Sequence, residues 1–220
     1  RVFLWGSALT DSLYTDYADV VNRVWQRQIE FPQLLHYTDL LAVGGQRGLV
    51  AVLYRTWLQR HPGSSYNLFA WFNLGVVLFS DGDLEGAGQA YEQSLALSPD
   101  FVQSRFNLGL VRERQGQIDA AIALWKQVQE HADPAQADQR PILISALNNQ
   151  ARVLETRKQF ADAYDCLNRS LALEPGQTDV LHHWIFIRAK QCLWPVYDAP
   201  AGVDPQLLRD STSALALLSL

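Results

Sequence analysis

"WFNLGVVLFSDGD" (Trp71–Asp83) and "RFNLGLVRERQGQ" (Arg105–Gln117) share the string Phe-Asn-Leu-Gly 34 residues apart, and another glycine follows each string after seven residues. Self-similarity at such a period marks a repeat architecture. The first copy extends through Trp71, Leu74, Gly75, Leu78, Ala87, Tyr91 and Pro99, and counted from Leu68 it occupies residues 68–101. The next, 102–135, places Leu108, Gly109, Gly116, Ala121 and Trp125 in matching positions, with its proline displaced to Pro134. A third, 144–177, carries Leu147, Ala151, Leu154, Ala163, Leu167 and Pro175, and the stretch "HADPAQADQRPIL" contains an insertion at 136–143. Read backward from Pro62, a more divergent unit covers 31–64, with Leu34, Leu41, Gly45, Val50 and Tyr54 at core positions. Residues 178–220 open with one more first helix, carrying Leu181, Trp184, Ile185 and Arg188 in register, and continue into a non-repeating segment. Trp194-Pro195 stops that helix, because proline has no N–H and disfavours helix at the residue before it. Residues 1–30 are expected to form an N-terminal capping helix region.

The pattern resembles the tetratricopeptide repeat, a helix-turn-helix unit of 34 residues. At roughly 100° per residue, positions 4, 7, 8 and 11 of the first helix share one face, and small residues at positions 8 and 20 let two helices approach closely. Single helices of this length are marginal in water, so stacked neighbours must supply the burial that holds them. The expected fold is all-α, a right-handed α-solenoid with N- and C-terminal capping helices.

Positions 2, 5, 6, 9 and 13 are left over and line the concave side of such a solenoid. Position 6 holds Asn73, Asn107 and Asn149, with His36 and His183 in the flanking units. Asparagine costs up to about 0.7 kcal/mol against alanine in a helix interior, so helix formation does not explain it. Two readings stand side by side: a ladder of amides that grips the backbone of an extended polypeptide, or local hydrogen bonds to a neighbouring helix. Around the ladder sit Phe69, Phe72, Val76, Phe106 and Leu110, then Ser145, Asn148, Arg152 and Asp179, so the groove passes from apolar to polar. The candidate peptide-binding residues are therefore Asn73, Asn107, Asn149, His36, His183, Phe69, Phe72, Phe106 and Arg152.

Composition narrows the remaining classes. A net charge of −5 over 220 residues offers no basic field for a phosphate backbone, and nucleic acid is not an expected partner. No apolar run reaches the ~20 residues that span a bilayer, so no membrane partner is expected either. Cys166 and Cys192 belong to no metal-binding motif, which points to a reducing cytoplasm and free thiols. The adjacent His182 and His183 lack the i, i+4 spacing of a helical zinc site. "VGGQRG" lacks the ending of a phosphate loop. No nucleophile, metal or cofactor site is expected, and most of the seven tryptophans are expected in the core. A chain that begins at Arg1 and has no methionine is expected to be a piece of a longer product.

The segment after the last first helix reads Cys192-x-Trp194-x-x-Tyr197 and leads to a second amphipathic stretch. It resembles the junction in SPINDLY-like O-linked N-acetylglucosamine transferases, where repeats lead into a glycosyltransferase domain. That resemblance implies a substrate-recruiting arm whose asparagines Asn73, Asn107 and Asn149 hold acceptor polypeptide, with the catalytic lobes absent and no transferase activity in this chain. The alternative is a freestanding adaptor that scaffolds a complex. A clamp for a C-terminal carboxylate is disfavoured, since Phe72 and Val76 stand where it needs basic residues.

Overall fold

The glycine that trails each Phe-Asn-Leu-Gly string ends a helix. In the computed structural model, which describes residues 17–211, Gly45, Gly82 and Gly116 have φ of +74°, +84° and +76°. A left-handed residue there turns the following amides back over the last helical turn and satisfies its orphan carbonyls. Gln46 N–H donates to the Leu41 carbonyl and Asp83 N–H to that of Leu78, each at 2.9 Å. Lys158 (φ +59°) and Cys192 (φ +55°) make the same bend. After them Gln159 N–H and Leu193 N–H donate to Leu154 and Arg188, again at 2.9 Å. All five bends fall at position 15 of their units.

Residues 17–25 are helical (α1). They are followed by α2 (Phe31–Val43), α3 (Arg47–Arg60), α4 (Asn67–Ser80), α5 (Leu84–Leu97), α6 (Val102–Arg114), α7 (Ile118–His131), α8 (Arg140–Thr156), α9 (Phe160–Leu173), α10 (Thr178–Lys190) and α11 (Pro205–Asp210). No strand occurs among the described residues. The N-terminal capping region therefore lies largely outside them, as does the chain after Ser211. Two compact parts can be distinguished, Arg1–Gln115 and Gly116–Leu220.

In the first part each helix packs on the next from α2 to α6. Leu34, Leu53, Trp57, Ala70, Leu74, Ala87 and Tyr91 are buried in its core. Asp83 caps α5 by accepting a hydrogen bond from Gly86 N–H at 2.9 Å. Gly75 faces the buried Tyr91 so closely that a β-carbon would stand 2.6 Å from the ring. In the preceding helix pair the equivalent residues are Thr38 and Tyr54, whose hydroxyls lie 3.0 Å apart.

In the second part α7 packs on α8, α8 on α9, α9 on α10, and α10 on α11. Trp125, Leu147, Ala151, Leu171 and Trp184 are buried there. Helix α8 is longer than its counterparts, at 17 residues. Its extra turn takes in residues 140–143 of the inserted stretch, with Pro141 in the first turn, where a missing N–H breaks no intrahelical bond. Three tryptophans, Trp57, Trp125 and Trp184, are buried as expected, Trp71 is half-buried, and Trp25 and Trp194 depart from that expectation at 50% and 73% exposed.

Two glycines in neighbouring helices give opposite expectations. Gly75→Ala should cost about 1–3 kcal/mol, because the Tyr91 ring it would strike is buried and abuts Phe72. Gly88→Ala meets ordinary contacts at 3.6 Å or more and should gain about 0.5–1 kcal/mol from helix propensity. Urea denaturation of the two variants checks the difference in sign.

Candidate peptide-binding surface

In the first part, the asparagines at position 6 are tied to tyrosines. Thr38 donates its hydroxyl to the Leu35 carbonyl at 2.9 Å, so its oxygen accepts from the Tyr54 hydroxyl 3.0 Å away. Tyr54 in turn accepts a hydrogen bond from Asn73. Burial pushes the Tyr54 phenol up, and its hydrogen bonds to Thr38 and Asn73 offset this in part. One pair of helices further on, Asn107 Nδ2 donates to the Tyr91 hydroxyl at 3.3 Å. Burial raises the Tyr91 phenol too. Each of these amides reaches the tyrosine at position 24 of the preceding unit, which is the hydrogen bond to a neighbouring helix that sequence left open. His36 stands exposed on α2.

The aromatic candidates of this part cluster around a residue outside the groove positions. Phe69 and Phe72 meet Phe101 edge-on, at 5.9 Å and 5.4 Å between ring centroids. Phe69 remains 43% exposed and Phe72 half-buried. Phe101 precedes α6 at position 34, where the repeat pattern carries no groove signal. Phe106 is half-buried on α6.

In the second part the pattern changes. Position 24 is Trp125 or Leu167, neither of which offers a hydroxyl, and the half-buried Asn149 has no side-chain hydrogen bond among the described residues. It lines instead a pocket of about 220 Å³ together with Arg152 and His183. Three of the nine candidates thus meet at one place. Glu155 and Asp179 complete the charged wall, and Leu167 and Val180 form the apolar one. His183 Nδ1 lies 2.9 Å from a Glu155 carboxylate oxygen. That hydrogen bond, assisted by the charges of Glu155 and Asp179 and opposed by partial burial, holds the imidazole pKa above its ordinary 6.5. Sequence missed Glu155 because position 12 lies beside, rather than on, the groove stripe.

A larger crevice of about 590 Å³ runs between α7, α8 and α9. Several of its polar groups hold one another: Arg157 pairs with Asp119 at 2.5 Å, Arg169 donates to Gln129 at 2.8 Å, and Gln129 to Gln150 at 2.6 Å. Cys166 sits in its wall, and burial pushes the thiol up to about 11, which makes it a poor nucleophile. Both cysteines are free, Cys166 buried and Cys192 exposed. The rings of His182 and His183 are edge-on at 5.9 Å, and among the described residues no cluster of His, Cys, Asp and Glu could hold a metal. No described helix is long and apolar enough to cross a membrane.

The asparagines should separate by stability. Asn73→Ala removes a donor to a buried hydroxyl and should cost about 1 kcal/mol, whereas Asn149→Ala should leave thermal stability nearly unchanged; calorimetry of the two variants tests this. The His183–Glu155 pair has its own signature. Because the folded pKa lies above 6.5, its small contribution is fully present below that value and is lost as pH rises through the folded pKa. An NMR titration should place His183 above 6.5 and return it toward that value in Glu155→Gln.

Residues 101–173 match a tetratricopeptide repeat family model and residues 75–116 a TPR repeat model. Tetratricopeptide repeat protein 8 of Caenorhabditis elegans is 28% identical over 47% of this chain and 21% of its own length. The chain spans between 21% and 36% of the length of the curated relatives it matches. Among solved structures, MamA from Desulfovibrio magneticus RS-1 superposes with a TM-score of 0.59 at 13% identity, covering 82% of this chain and 89% of that one. YrrB, a TPR protein with an unusual peptide-binding site, gives 0.59 at 14% identity over 89% and 96%. These identities speak for the fold. Its repeat matches run from residue 75 to residue 173, and the described chain is all-helical and of the α-solenoid class.

Proposed function

We propose that this chain is a protein-interaction module that binds extended polypeptide on its first-helix face, with no catalysis of its own. The observation that carries the reading is the α8–α10 pocket, where Asn149 has amide donors and an acceptor uncommitted to the fold, beside Arg152 and His183. An amide with both kinds of group matches the N–H and C=O of a peptide backbone. YrrB, whose fold is similar, supports the reading by analogy alone. Asn73 and Asn107 serve chiefly to join helices in this proposal, and Phe69, Phe72 and Phe106 offer apolar contacts. A net charge of −5 argues against nucleic acid as the ligand, and two free cysteines fit a cytoplasmic setting.

The finer reading makes the module the substrate-recruiting arm of a SPINDLY-like transferase. It rests on the Cys192-x-Trp194-x-x-Tyr197 junction, where Trp194 is 73% exposed and Tyr197 38% exposed on the segment that leaves α10. The repeat matches themselves favour it no more than a freestanding adaptor. Downstream coding sequence separates the two, since a glycosyltransferase region after residue 220 supports the transferase and a stop codon there removes it.

Binding is tested with a peptide array. Asn149→Ala should weaken capture of bound peptides by about three- to tenfold, the lost hydrogen bonds to peptide groups costing about 0.5–1.5 kcal/mol, while the melting temperature stays within a few degrees of the parent. Unchanged capture would overturn the assignment to this face.

A further inference from the structure

We infer that the α8–α10 pocket receives a cationic side chain, lysine or arginine, of the bound polypeptide, in exchange for the proton on His183. The inference rests on the peptide-binding reading above and adds the chemistry of the guest.

The pocket has two kinds of wall. Leu167 and Val180 present an apolar surface, and Glu155 and Asp179 present carboxylates. An aliphatic stem ending in a positive head is the side-chain type that satisfies both at once. The carboxylates are weakly committed: Glu155 is paired only with His183, and Asp179 makes no ion pair or side-chain hydrogen bond among the described residues. Arg152 has an interaction of its own and is not a free cation waiting for an anion.

Histidine is the exchangeable member of the pair. Its side chain is 49% exposed, against 21% for Glu155, so the imidazole can leave for water while the carboxylate stays. The charged and titratable groups facing it are Glu155 and Arg152 from α8 and Asp179 from α10, with His182 beside it on α10; α9 contributes only Leu167 to this wall. With His183 protonated, its charge offsets that of Glu155, its hydrogen-bonded partner. Once His183 loses its proton to solvent, the pocket becomes one charge more negative around Glu155 and Asp179. A guest cation then takes the place of the imidazolium beside Glu155, so binding and His183 deprotonation favour each other.

The test is an NMR titration of the whole chain with three blocked pentapeptides, Gly-Gly-X-Gly-Gly with X as arginine, norleucine or glutamate, at about pH 5.5 and about pH 8, on either side of an ordinary histidine pKa. The arginine peptide should perturb amide signals of α8 and α10, bind up to about fivefold tighter at the higher pH, and lower the His183 pKa at saturation. Glu155→Gln and Asp179→Asn should each remove most of its advantage over norleucine. His183→Gln should abolish the pH dependence while keeping the preference. Equal affinity and equal pH profile for arginine and norleucine, or preference for glutamate, overturn the cation assignment and leave peptide binding standing. If none of the three perturbs α8 or α10 at either pH, the cation pocket and the peptide reading of this face fall together.

Discussion

The architecture depends on one backbone state, the left-handed residue at position 15 that ends each first helix. It recurs at Gly45, Gly82, Gly116, Lys158 and Cys192. Its value is geometric: the following amide closes the last turn, and after Gly45, Gly82 and Lys158 the chain enters the second helix within a few residues. Glycine enters this state without steric cost, whereas a β-carbon there costs about 1–2 kcal/mol, which Lys158 and Cys192 bear. In the first part, with the reversal fixed at the same register, position 8 of one helix returns to position 24 of the next. The contacts Thr38–Tyr54 and Gly75–Tyr91 are two solutions to that one meeting.

From that meeting follows the division of the asparagines. A tyrosine at position 24 carries its hydroxyl to the edge of the core, where burial makes an unpaired phenol costly, and the asparagine at position 6 of the next first helix supplies the partner. Where position 24 is Trp125, no hydroxyl arrives and the half-buried Asn149 is left without that partner. The same structural position therefore serves cohesion in one part of the chain and remains open in the other. The electrostatic character of the open site comes from α10, whose Asp179 and His183 stand across from Arg152 and Glu155 of α8.

Much of this fold is legible in the pattern Phe-Asn-Leu-Gly and its spacing. Leu74 and Gly75 announce the packed face, and Leu108 and Gly109 repeat it, because apolar and small residues at helical spacing have few other uses. The inserted stretch near Pro141 reads in sequence as either a helix extension or a surface loop, and the start of α8 at Arg140 makes its last four residues the former. Glu155 and Phe101 were illegible for a different reason: each enters its site from a position that the repeat assigns to neither the core nor the groove.

Sequence alone determined the repeat period, the helical class, the buried stripe and the short list of polar residues opposite it, because these follow from local periodicity and from the steric needs of a close helix pair. Tertiary structure decided which of those polar residues were free. Whether Asn73 or Asn149 is committed turns on a residue in the preceding unit, a tyrosine in one case and a tryptophan in the other, and on how close folding brings them. A hydrogen bond depends on a few tenths of an ångström between groups distant in the chain, and no one-dimensional pattern records that distance.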